Sequence, residues 1–377
     1  MFTSLTVERY RPFKKLTVEP LARVNLIAGS NDVGKTALLE AVFLLVAEGN
    51  LSLLPTINSF RGPGTLQGDP DAVSDWLWAP MFHQFSFEKP IKINARQKSG
   101  KARGVEFKLV PRPSTPVTLM EEPVREAGSS RYGFSSKALR MEFSDSTDRK
   151  QRSDMLVDIQ GIHVDPPPGT PSTPSYFLAS SGRIPQQEVA KDFGDLEVLG
   201  RPYDVEEMPG LREPHGQRAG RPYDVEEILR ILEPRLRRVA TIAGPGGPIL
   251  YGDVGLSRML PLALLGDGMT RLASIVLKIA ANAHGVVLVD EIENGLYHAV
   301  MEPVWTAIGQ AARLFDVQIF ATTHSWECLQ AAHNAFSSGP IYDLRLHRLE
   351  RVREEIRAVS YDQETLGVAL KAELEVR

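Results

Sequence analysis

The stretch of sequence that decides the fold is Gly29-Ser30-Asn31-Asp32-Val33-Gly34-Lys35-Thr36, which fits the pattern G-x-x-x-x-G-K-[ST]. An apolar strand pattern at residues 23–28 runs straight into Gly29, and an apolar stretch typical of a buried helix follows at residues 37–47. Between a strand and a helix, glycines let the loop curl so that its main-chain N–H groups converge, and the helix start adds partial positive charge. The stretch therefore predicts a cradle for phosphate groups.

Several residues of this loop are expected to contact a bound nucleoside triphosphate. We expect Lys35 to bridge the β- and γ-phosphates of ATP in a catalytic role, and the hydroxyl of Thr36 to ligate Mg²⁺. Further nucleotide contacts are expected from six residues, which are Gly29, Asn31, Asp32, Val33, Gly34 and Ala37. The loop thus predicts ATP and Mg²⁺ as the bound groups.

A second motif lies far along the chain, where four apolar residues, 286–289, end in the carboxylates of Asp290 and Glu291. A buried strand of this kind delivers its last residues to the carboxyl edge of the sheet, where ligands sit in open α/β folds. We expect Asp290 to hold Mg²⁺ and Glu291 to act as the catalytic general base on the attacking water. An acidic strand end alone is weak evidence, and the phosphate-loop pattern strengthens it.

A third apolar strand pattern, residues 317–321, leads to Thr322-Thr323-His324-Ser325. We expect a neutral His324 to take a catalytic part by donating a hydrogen bond to the γ-phosphate and sensing its hydrolysis. A lone histidine is more often structural, but the order of the three motifs favours the functional interpretation. The role of the nearby Glu293 stays open between a structural one and one that faces a partner subunit.

Composition excludes several classes of protein. The chain has 377 residues with 43 Lys and Arg against 47 Asp and Glu, a formal charge of -4, which excludes a uniformly basic nucleic-acid-binding protein. Local basic clusters remain, at residues 96–103, 150–152 and 230–238. The single cysteine, Cys328, excludes a disulfide framework within the chain. Because no apolar run approaches a membrane span and no signal-peptide pattern is present, we expect a cytoplasmic protein without membrane partners.

Changes in composition and in the strand and helix patterns along the sequence predict four regions. One region contains a tandem repeat of 20 residues, at Leu199–Arg218 and Ala219–Arg238. We assign no separate activity to this repeat. The regions are an N-terminal lobe with the phosphate loop (1–80), an antiparallel β region (81–178), a helical arm that carries the repeat (179–248) and a C-terminal lobe with the acidic strand and the histidine (249–377).

In this order, the three motifs resemble those of the ABC-type ATPase heads of the RecF, SMC and OLD families, and the residues around them resemble the OLD-related AAA ATPases of bacteria. The long separation of Lys35 from Asp290 agrees with a large insertion of the kind those heads carry. The resemblance implies an α/β fold, that of an ABC-type P-loop NTPase head. Such a head has a mostly parallel core sheet, an antiparallel β subdomain and a helical arm inserted in the middle.

The same resemblance implies further contacts and partners. Gly266, Asp267 and Gly268 match the signature loop, which in the family approaches the γ-phosphate bound to the other subunit, and Arg11 matches an arginine that lies near the nucleotide. We therefore expect an ATPase that forms a homodimer or higher oligomer on ATP. The segment after His324 is too short for the Toprim nuclease domain of OLD nucleases, so the chain resembles the ATPase part alone.

Three functions follow from the resemblance. The first is control of a separate effector or nuclease protein, in anti-phage defence or DNA transactions. The alternatives are a RecF-like DNA-binding repair ATPase and a nucleotide-gated scaffold without catalysis.

Overall fold

The strands and helices lie in the parts of the chain that the computed structural model describes, residues 1–59, 69–112, 135–158, 161–180, 184–200, 222–244 and 246–376. The strands are β1 (Phe2–Tyr10), β2 (Phe13–Val18), β3 (Val24–Ala28), β4 (Ile91–Gln97), β5 (Ala102–Pro111), β6 (Lys137–Asp145), β7 (Lys150–Asp158), β8 (Gly161–Asp165), β9 (Ser175–Leu178), β10 (Arg238–Gly244), β11 (Gly247–Asp253), β12 (Leu260–Pro261), β13 (Val286–Val289), β14 (Gln318–Thr322), β15 (Leu344–Val352) and β16 (Glu355–Tyr361). The helices are α1 (Lys35–Val46), α2 (Leu54–Ser59), α3 (Pro70–Trp78), α4 (Gln186–Gly200), α5 (Pro222–Leu229), α6 (Asp267–Ala281), α7 (Met301–Leu314), α8 (Trp326–Ser337) and α9 (Gln363–Lys371).

The central sheet has six strands in the order β16-β15-β3-β14-β13-β9, and all except β16 run parallel to their neighbours. Every residue of β3, β13 and β14 is buried, which is the pattern of parallel strands covered on both faces. The register pairs Val289 with Ala321 and Ala321 with Leu26, so the carboxyl ends of these three strands lie side by side. The expected mostly parallel core sheet is confirmed.

A second sheet is antiparallel, with seven strands in the order β2-β1-β4-β5-β6-β7-β8. Its strands alternate between buried and exposed residues, as in β4, where Ile91 and Ile93 are buried and Lys92 is exposed. The sheet includes β1 and β2 from the N-terminal region as well as strands from the predicted antiparallel region. Helix α1 lies between the two sheets, because Leu38 packs in one apolar core with residues of both, among them Leu288 of β13.

The region predicted as a helical arm, residues 179–248, is described in part. Their described part contains α4, α5, β10 and the first two residues of β11, and β10 and β11 form a three-stranded sheet with β12. Phe193 of α4 and Leu229 of α5 are fully buried in the same core as α6. These two helices therefore bury an apolar stripe against the body of the protein. The first repeat copy, Leu199–Arg218, lies almost wholly outside the described residues.

Two expectations from composition concern the membrane and the cysteine. Among the helices of the described ranges, none combines the length and the apolar character needed to cross a membrane. Cys328 is a buried free cysteine, and burial raises the pKa of its thiol to about 12. Since the thiolate is the reactive form, Cys328 is an unreactive packing residue in the folded protein.

A buried polar cluster joins β3, the strand that leads into the phosphate loop, to its neighbours. Nδ1 of His347 on β15 lies 2.8 Å from Oγ of Ser360, and Nε2 lies 3.3 Å from Oδ1 of Asn25 on β3. Asn25 in turn donates to the carbonyl oxygen of Ile319 on β14 at 3.1 Å. Burial lowers the pKa of His347 to about 3, because the imidazolium loses its hydration there, and Arg345 adds repulsion.

We expect His347 to make the fold sensitive to acid. The unfolded chain takes up this proton at an ordinary histidine pKa of about 6.5, whereas the folded protein takes it up only near pH 3, so stability falls as the pH falls below neutrality. The loss is about 2 kcal/mol of unfolding free energy between pH 7 and pH 5. Urea unfolding of wild type and His347→Gln at both pH values measures it. The variant should lack this part of the pH dependence, and the exposed His298→Gln should retain it. An equal dependence in wild type and His347→Gln contradicts the assignment.

Candidate active site at the carboxyl edge of the parallel sheet

The phosphate loop joins β3 to α1, and its two glycines occupy positions where any side chain would be strained. Gly29 has φ +143°, and a Cβ there would lie 2.5 Å from the carbonyl oxygen of Leu349 and 2.9 Å from Cγ2 of Val33. Gly34 has φ +91°, and a Cβ there would lie 2.8 Å from Cζ of Phe13. Both backbone conformations favour glycine, and the neighbouring atoms leave no room for a side chain. The loop is therefore closely packed on β15 and on the start of β2.

Lys35, the first residue of α1, lies folded back on the loop. Its Nζ donates to the carbonyl oxygen of Gly29 at 2.7 Å and to that of Ser30 at 3.1 Å. Partial burial lowers the pKa of Lys35, and the carboxylates of Asp290 and Glu291 act in the opposite direction. The ammonium group thus lies within the loop, at the acidic end of β13.

Asp290 links the loop to the two neighbouring strands. This residue is 4% exposed, and its Oδ2 accepts a hydrogen bond from Oγ1 of Thr36 at 3.0 Å. Its Oδ1 accepts one from Oγ1 of Thr322 on β14 at 2.6 Å. The Thr322 hydroxyl also accepts the main-chain N–H of Glu291 at 2.8 Å. Thr322 is a site residue that the sequence analysis missed, although its position at the end of β14, beside the acidic end of β13, was a usable signal.

The oxygens of Thr36 and Asp290 fit a magnesium ion. Mg²⁺ is held in proteins by one or two oxygen ligands, and phosphate oxygens and water complete its shell. Within the described ranges, no group of three or more His, Cys, Asp and Glu residues forms a metal cage of its own. The hydroxyl of Thr36 and the carboxylate of Asp290 are therefore suited to be the two protein ligands of a metal ion that binds together with a nucleotide.

Glu291 occupies a tight turn directly after β13. Its φ of 47° is in the left-handed region, so the backbone leaves the extended course of the strand at this residue. Oε2 of Glu291 accepts a hydrogen bond from the side-chain amide of Asn294 at 2.8 Å. The carboxylate is thus held in a defined position one residue beyond Asp290.

Glu293 contacts His324 within the same chain. Its Oε1 accepts the main-chain N–H of His324 at 2.8 Å and lies 3.1 Å from the Nδ1 atom of the ring. The Glu293 side chain is 7% exposed, whereas the His324 side chain is 54% exposed. The sequence left open a structural role for Glu293 and a role that faces a partner subunit. These contacts lie inside one subunit and agree with the structural role.

The nucleotide contact expected of Arg11 stays a prediction, and in the structure its side chain is bonded to Glu40 and Asn58. Its Nε lies 2.6 Å from Oε2 of Glu40 on α1, and its Nη2 donates to Asn58 at 3.3 Å. The Arg11 side chain is 7% exposed, and that of Glu40 is fully buried. Because a buried carboxylate requires a cation or strong hydrogen bonds, Glu40 holds the guanidinium against α1. Beside Arg11 in the same turn, Pro12 and the ring of Phe13 both pack on Gly34 of the loop.

The other expected contact residues fall into two groups. Asn31 and Asp32 are exposed at the tip of the loop, while Val33 and Ala37 are buried and offer the nucleotide only main-chain atoms. The signature-like residues Gly266, Asp267 and Gly268 lie at the start of α6, where the position of a Cβ on Gly266 is open space. This loop faces outward, since Leu264 just before it is 70% exposed.

Residues 24–327 match the family described as "AAA domain, putative AbiEii toxin, Type IV TA system". The chain belongs to this family. The match covers the phosphate loop, the acidic strand and His324, and with this site it makes the chain an AAA-type P-loop ATPase with the expected α/β fold. The resemblance to OLD-related ATPases in particular stays a prediction.

Proteins of known name or structure are similar to this chain over nearly its whole length. A Helicobacter pylori (strain ATCC 700392 / 26695) protein named "ATP/GTP phosphatase" is 21% identical over 344 residues, 88% of this chain and 87% of that protein. The SMC head bound to the C-terminal winged-helix domain of ScpA has a TM-score of 0.48 at 12% identity, over 97% of this chain and 98% of its own. The SMC head domain from Thermotoga maritima has a TM-score of 0.43 at 10% identity, over 96% and 99%.

We expect Gly29→Ala to weaken nucleotide binding by about tenfold or more, because strained backbone and the contact with Leu349 together cost at least about 1–3 kcal/mol. Titration with a fluorescent ATP analogue measures the affinity. Gly161→Ala is a matched control, because Gly161 has φ +142° but nothing within 4 Å of its Cβ position. Equal affinities of the two variants would show that the fit of Gly29 against β15 does not shape the loop.

Proposed function

We propose that the protein binds ATP with Mg²⁺ at the phosphate loop, hydrolyses it, and pairs with a second copy of itself while ATP is bound. This cycle controls a separate effector protein. The observation that carries the proposal is the bonded chain from Thr36 through Asp290 to Thr322, which joins the phosphate loop to both neighbouring strand ends. These groups meet where an ATP phosphate and its metal are bound in P-loop ATPases.

Each residue of the site has one task in this proposal. Lys35 exchanges its two loop carbonyls for the β- and γ-phosphates, and the loop N–H groups bind the remaining oxygens. Thr36 and Asp290 hold Mg²⁺, which when bound neutralises charge on the phosphate oxygens. Glu291 orients the attacking water and accepts its proton, and His324 donates to the γ-phosphate. Most of the catalysis is positioning and electrostatics, as phosphoryl transfer requires.

The exposed start of α6 supports pairing of two copies. Gly266 has open space at its Cβ position, and α6 begins there without a side-chain cap, so the partial positive charge of the helix start suits an anionic group. In the paired state this loop meets the γ-phosphate bound to the other copy. Leu264, 70% exposed, and Tyr297, 66% exposed, provide apolar area for the same contact.

We expect two variants to separate binding from hydrolysis. Lys35→Ala should lose ATP binding, whereas Glu291→Gln should bind ATP but lower the turnover number by about a hundredfold or more. With ATP and Mg²⁺, Glu291→Gln should double its mass in light scattering, while Lys35→Ala and samples with ADP should not. A wild-type turnover no higher than that of Lys35→Ala contradicts the enzymatic proposal, and an unchanged mass contradicts the pairing.

Control of an effector is tested in the native host. The family description names a toxin–antitoxin system, and a chain with an ATPase site suits a nucleotide-gated regulator of a second protein. Tagged wild type, Glu291→Gln and Lys35→Ala are purified in parallel and their partners identified by mass spectrometry. A partner held by the ATP-trapped Glu291→Gln but not by Lys35→Ala supports nucleotide-gated control, and identical partner sets contradict it.

Contact with nucleic acid is a second candidate function, because the fold brings two basic clusters together. The turn between β4 and β5 contains the exposed Lys98 and Lys101 and lies beside the turn between β6 and β7, which precedes Lys150. The main-chain N–H of Ser146 donates to the carbonyl oxygen of Ala102 at 2.9 Å, which fixes the two turns side by side. This end of the antiparallel sheet is a local basic patch on an acidic chain.

We expect binding of a DNA duplex, if this patch carries it, to weaken steeply with salt. Reversing the charge of Lys98, Lys101 and Lys150 together should lower the slope of log affinity against log salt concentration by about 2–3. Fluorescence anisotropy at several salt concentrations gives the slope. A control variant reverses three exposed charges elsewhere, Arg353, Arg357 and Lys371. Equal losses in both variants indicate a net-charge effect and exclude this patch.

A further inference from the structure

We infer that Asn294 is a positioning residue for hydrolysis, because its side-chain amide holds the carboxylate of Glu291 in the place from which that carboxylate takes a proton from the attacking water. The inference rests on the proposed role of Glu291 as general base and deepens it. No step of the proposed function uses Asn294, and the sequence analysis gave this residue no task.

The amide of Asn294 bonds the side chain of Glu291 directly. Its Nδ2 donates to Oε2 of Glu291 at 2.8 Å and to the main-chain carbonyl oxygen of Ser180 at 3.4 Å. Both partners only accept hydrogen bonds, and a side-chain amide nitrogen has two protons to donate. The opposite orientation of the amide would place its oxygen against two acceptors. Asn294 therefore satisfies both contacts in one orientation only.

The turn that carries Glu291 is fixed by bonds that do not involve the Asn294 side chain. The main-chain N–H of Asn294 donates to the carbonyl oxygen of Glu291 at 3.0 Å, and the N–H of Glu291 donates to Oγ1 of Thr322 at 2.8 Å. The N–H of Ile292 also donates to the carbonyl oxygen of Thr322 at 3.0 Å. Removal of the Asn294 amide therefore frees the Glu291 side chain and leaves the backbone of the turn in place.

Glu291 needs such a contact more than the two carboxylates beside it. Asp290 and Glu293 are buried, and their surroundings restrict them, whereas Glu291 is partly exposed. A long, partly exposed side chain occupies several rotamers unless a bond selects one of them, and fixing it costs conformational entropy. The amide of Asn294 selects that rotamer before the substrate binds.

The bond also assigns different tasks to the two oxygens of the Glu291 carboxylate. The amide occupies Oε2, which leaves Oε1 to accept the proton. As the water oxygen bonds to the γ-phosphorus and the bond between that phosphorus and ADP breaks, one water proton passes to Oε1. A general base acts only within hydrogen-bond reach of the proton that it takes, and a displacement of about 1 Å can cost about a hundredfold in rate.

The first test measures kcat and the KM for ATP in wild type, Asn294→Ala, Asn294→Asp and Asn282→Ala. We expect Asn294→Ala to lower kcat by about tenfold to a hundredfold with little change in KM, because the amide bonds Glu291 and not the phosphate loop. Asn294→Asp keeps the size of the side chain but has no proton to donate, so its loss should be at least as large. The matched control Asn282→Ala removes an amide that donates to the carbonyl oxygen of Lys278 at 2.8 Å, and it should follow wild type.

A second test isolates the action through Glu291. If Asn294 acts by placing that carboxylate, Asn294→Ala added to Glu291→Gln should change the residual turnover by less than about twofold, since no base remains to be placed. Two independent effects would multiply instead.

Five outcomes overturn the inference. They are a wild-type kcat in Asn294→Ala, a loss confined to KM, a near-wild-type kcat in Asn294→Asp, an equal loss in Asn282→Ala, and a multiplied loss in the double variant. If Asn294→Ala folds poorly, as thermal unfolding would show, the size-matched Asn294→Asp provides the comparison. Absence of wild-type turnover removes the proposed function and the inference together, whereas normal wild-type turnover with an unaffected Asn294→Ala removes the inference alone.

Discussion

The candidate site depends on the carboxylate of Asp290, which is almost completely buried and accepts hydroxyl hydrogen bonds from two sides. A buried charge is tolerated only when such partners are present. Thr36 belongs to the helix after the phosphate loop and Thr322 to the neighbouring strand, so this one group sets the distances between three elements. The same requirement explains why β3, β13 and β14 must be adjacent and in register, since a shift of one residue would turn Asp290 or Thr322 to the other face of the sheet.

The antiparallel sheet is attached to this site through helix α1. Apolar residues of the helix share a core with both sheets, and the ion pair of Arg11 with Glu40 fixes the first turn of the chain to the helix at 2.6 Å. A buried ion pair of this kind is costly to break, because either partner alone would remain as an uncompensated charge. The two sheets and the helix between them therefore form one packed unit around the phosphate loop.

The sequence predicts the parts of the protein that rest on local patterns. The continuous apolar strands, the glycine pattern of the loop and the carboxylates after β13 are recognisable because each follows from a run of neighbouring residues. Contacts between distant residues were not predictable in the same way. The residues around Arg11 in the sequence do not indicate that its guanidinium pairs with Glu40. Those around Glu293 do not indicate that its carboxylate accepts the main-chain N–H of His324.

In residues 179–248, too, the sequence does not predict which distant elements the helices pack against. Short helical patterns there predict an arm, but whether a helix extends into solvent or packs on the domain depends on the surface that receives it. Phe193 and Leu229 pack in one apolar core with residues of α6, which lies far along the chain. Strand β9 completes the parallel sheet beside β13 although its four residues carry little pattern of their own. Tertiary packing decides such segments.

The ring of Phe13 against Gly34 has a mechanical consequence. Phe13 is the first residue of β2, whose partner β1 is hydrogen-bonded to strands on both of its edges. Because a close-packed contact transmits displacement and does not absorb it, any shift of the loop backbone as phosphate enters or leaves pushes directly on the edge of the antiparallel sheet. The loop backbone and the edge of the antiparallel sheet are therefore mechanically coupled at this contact.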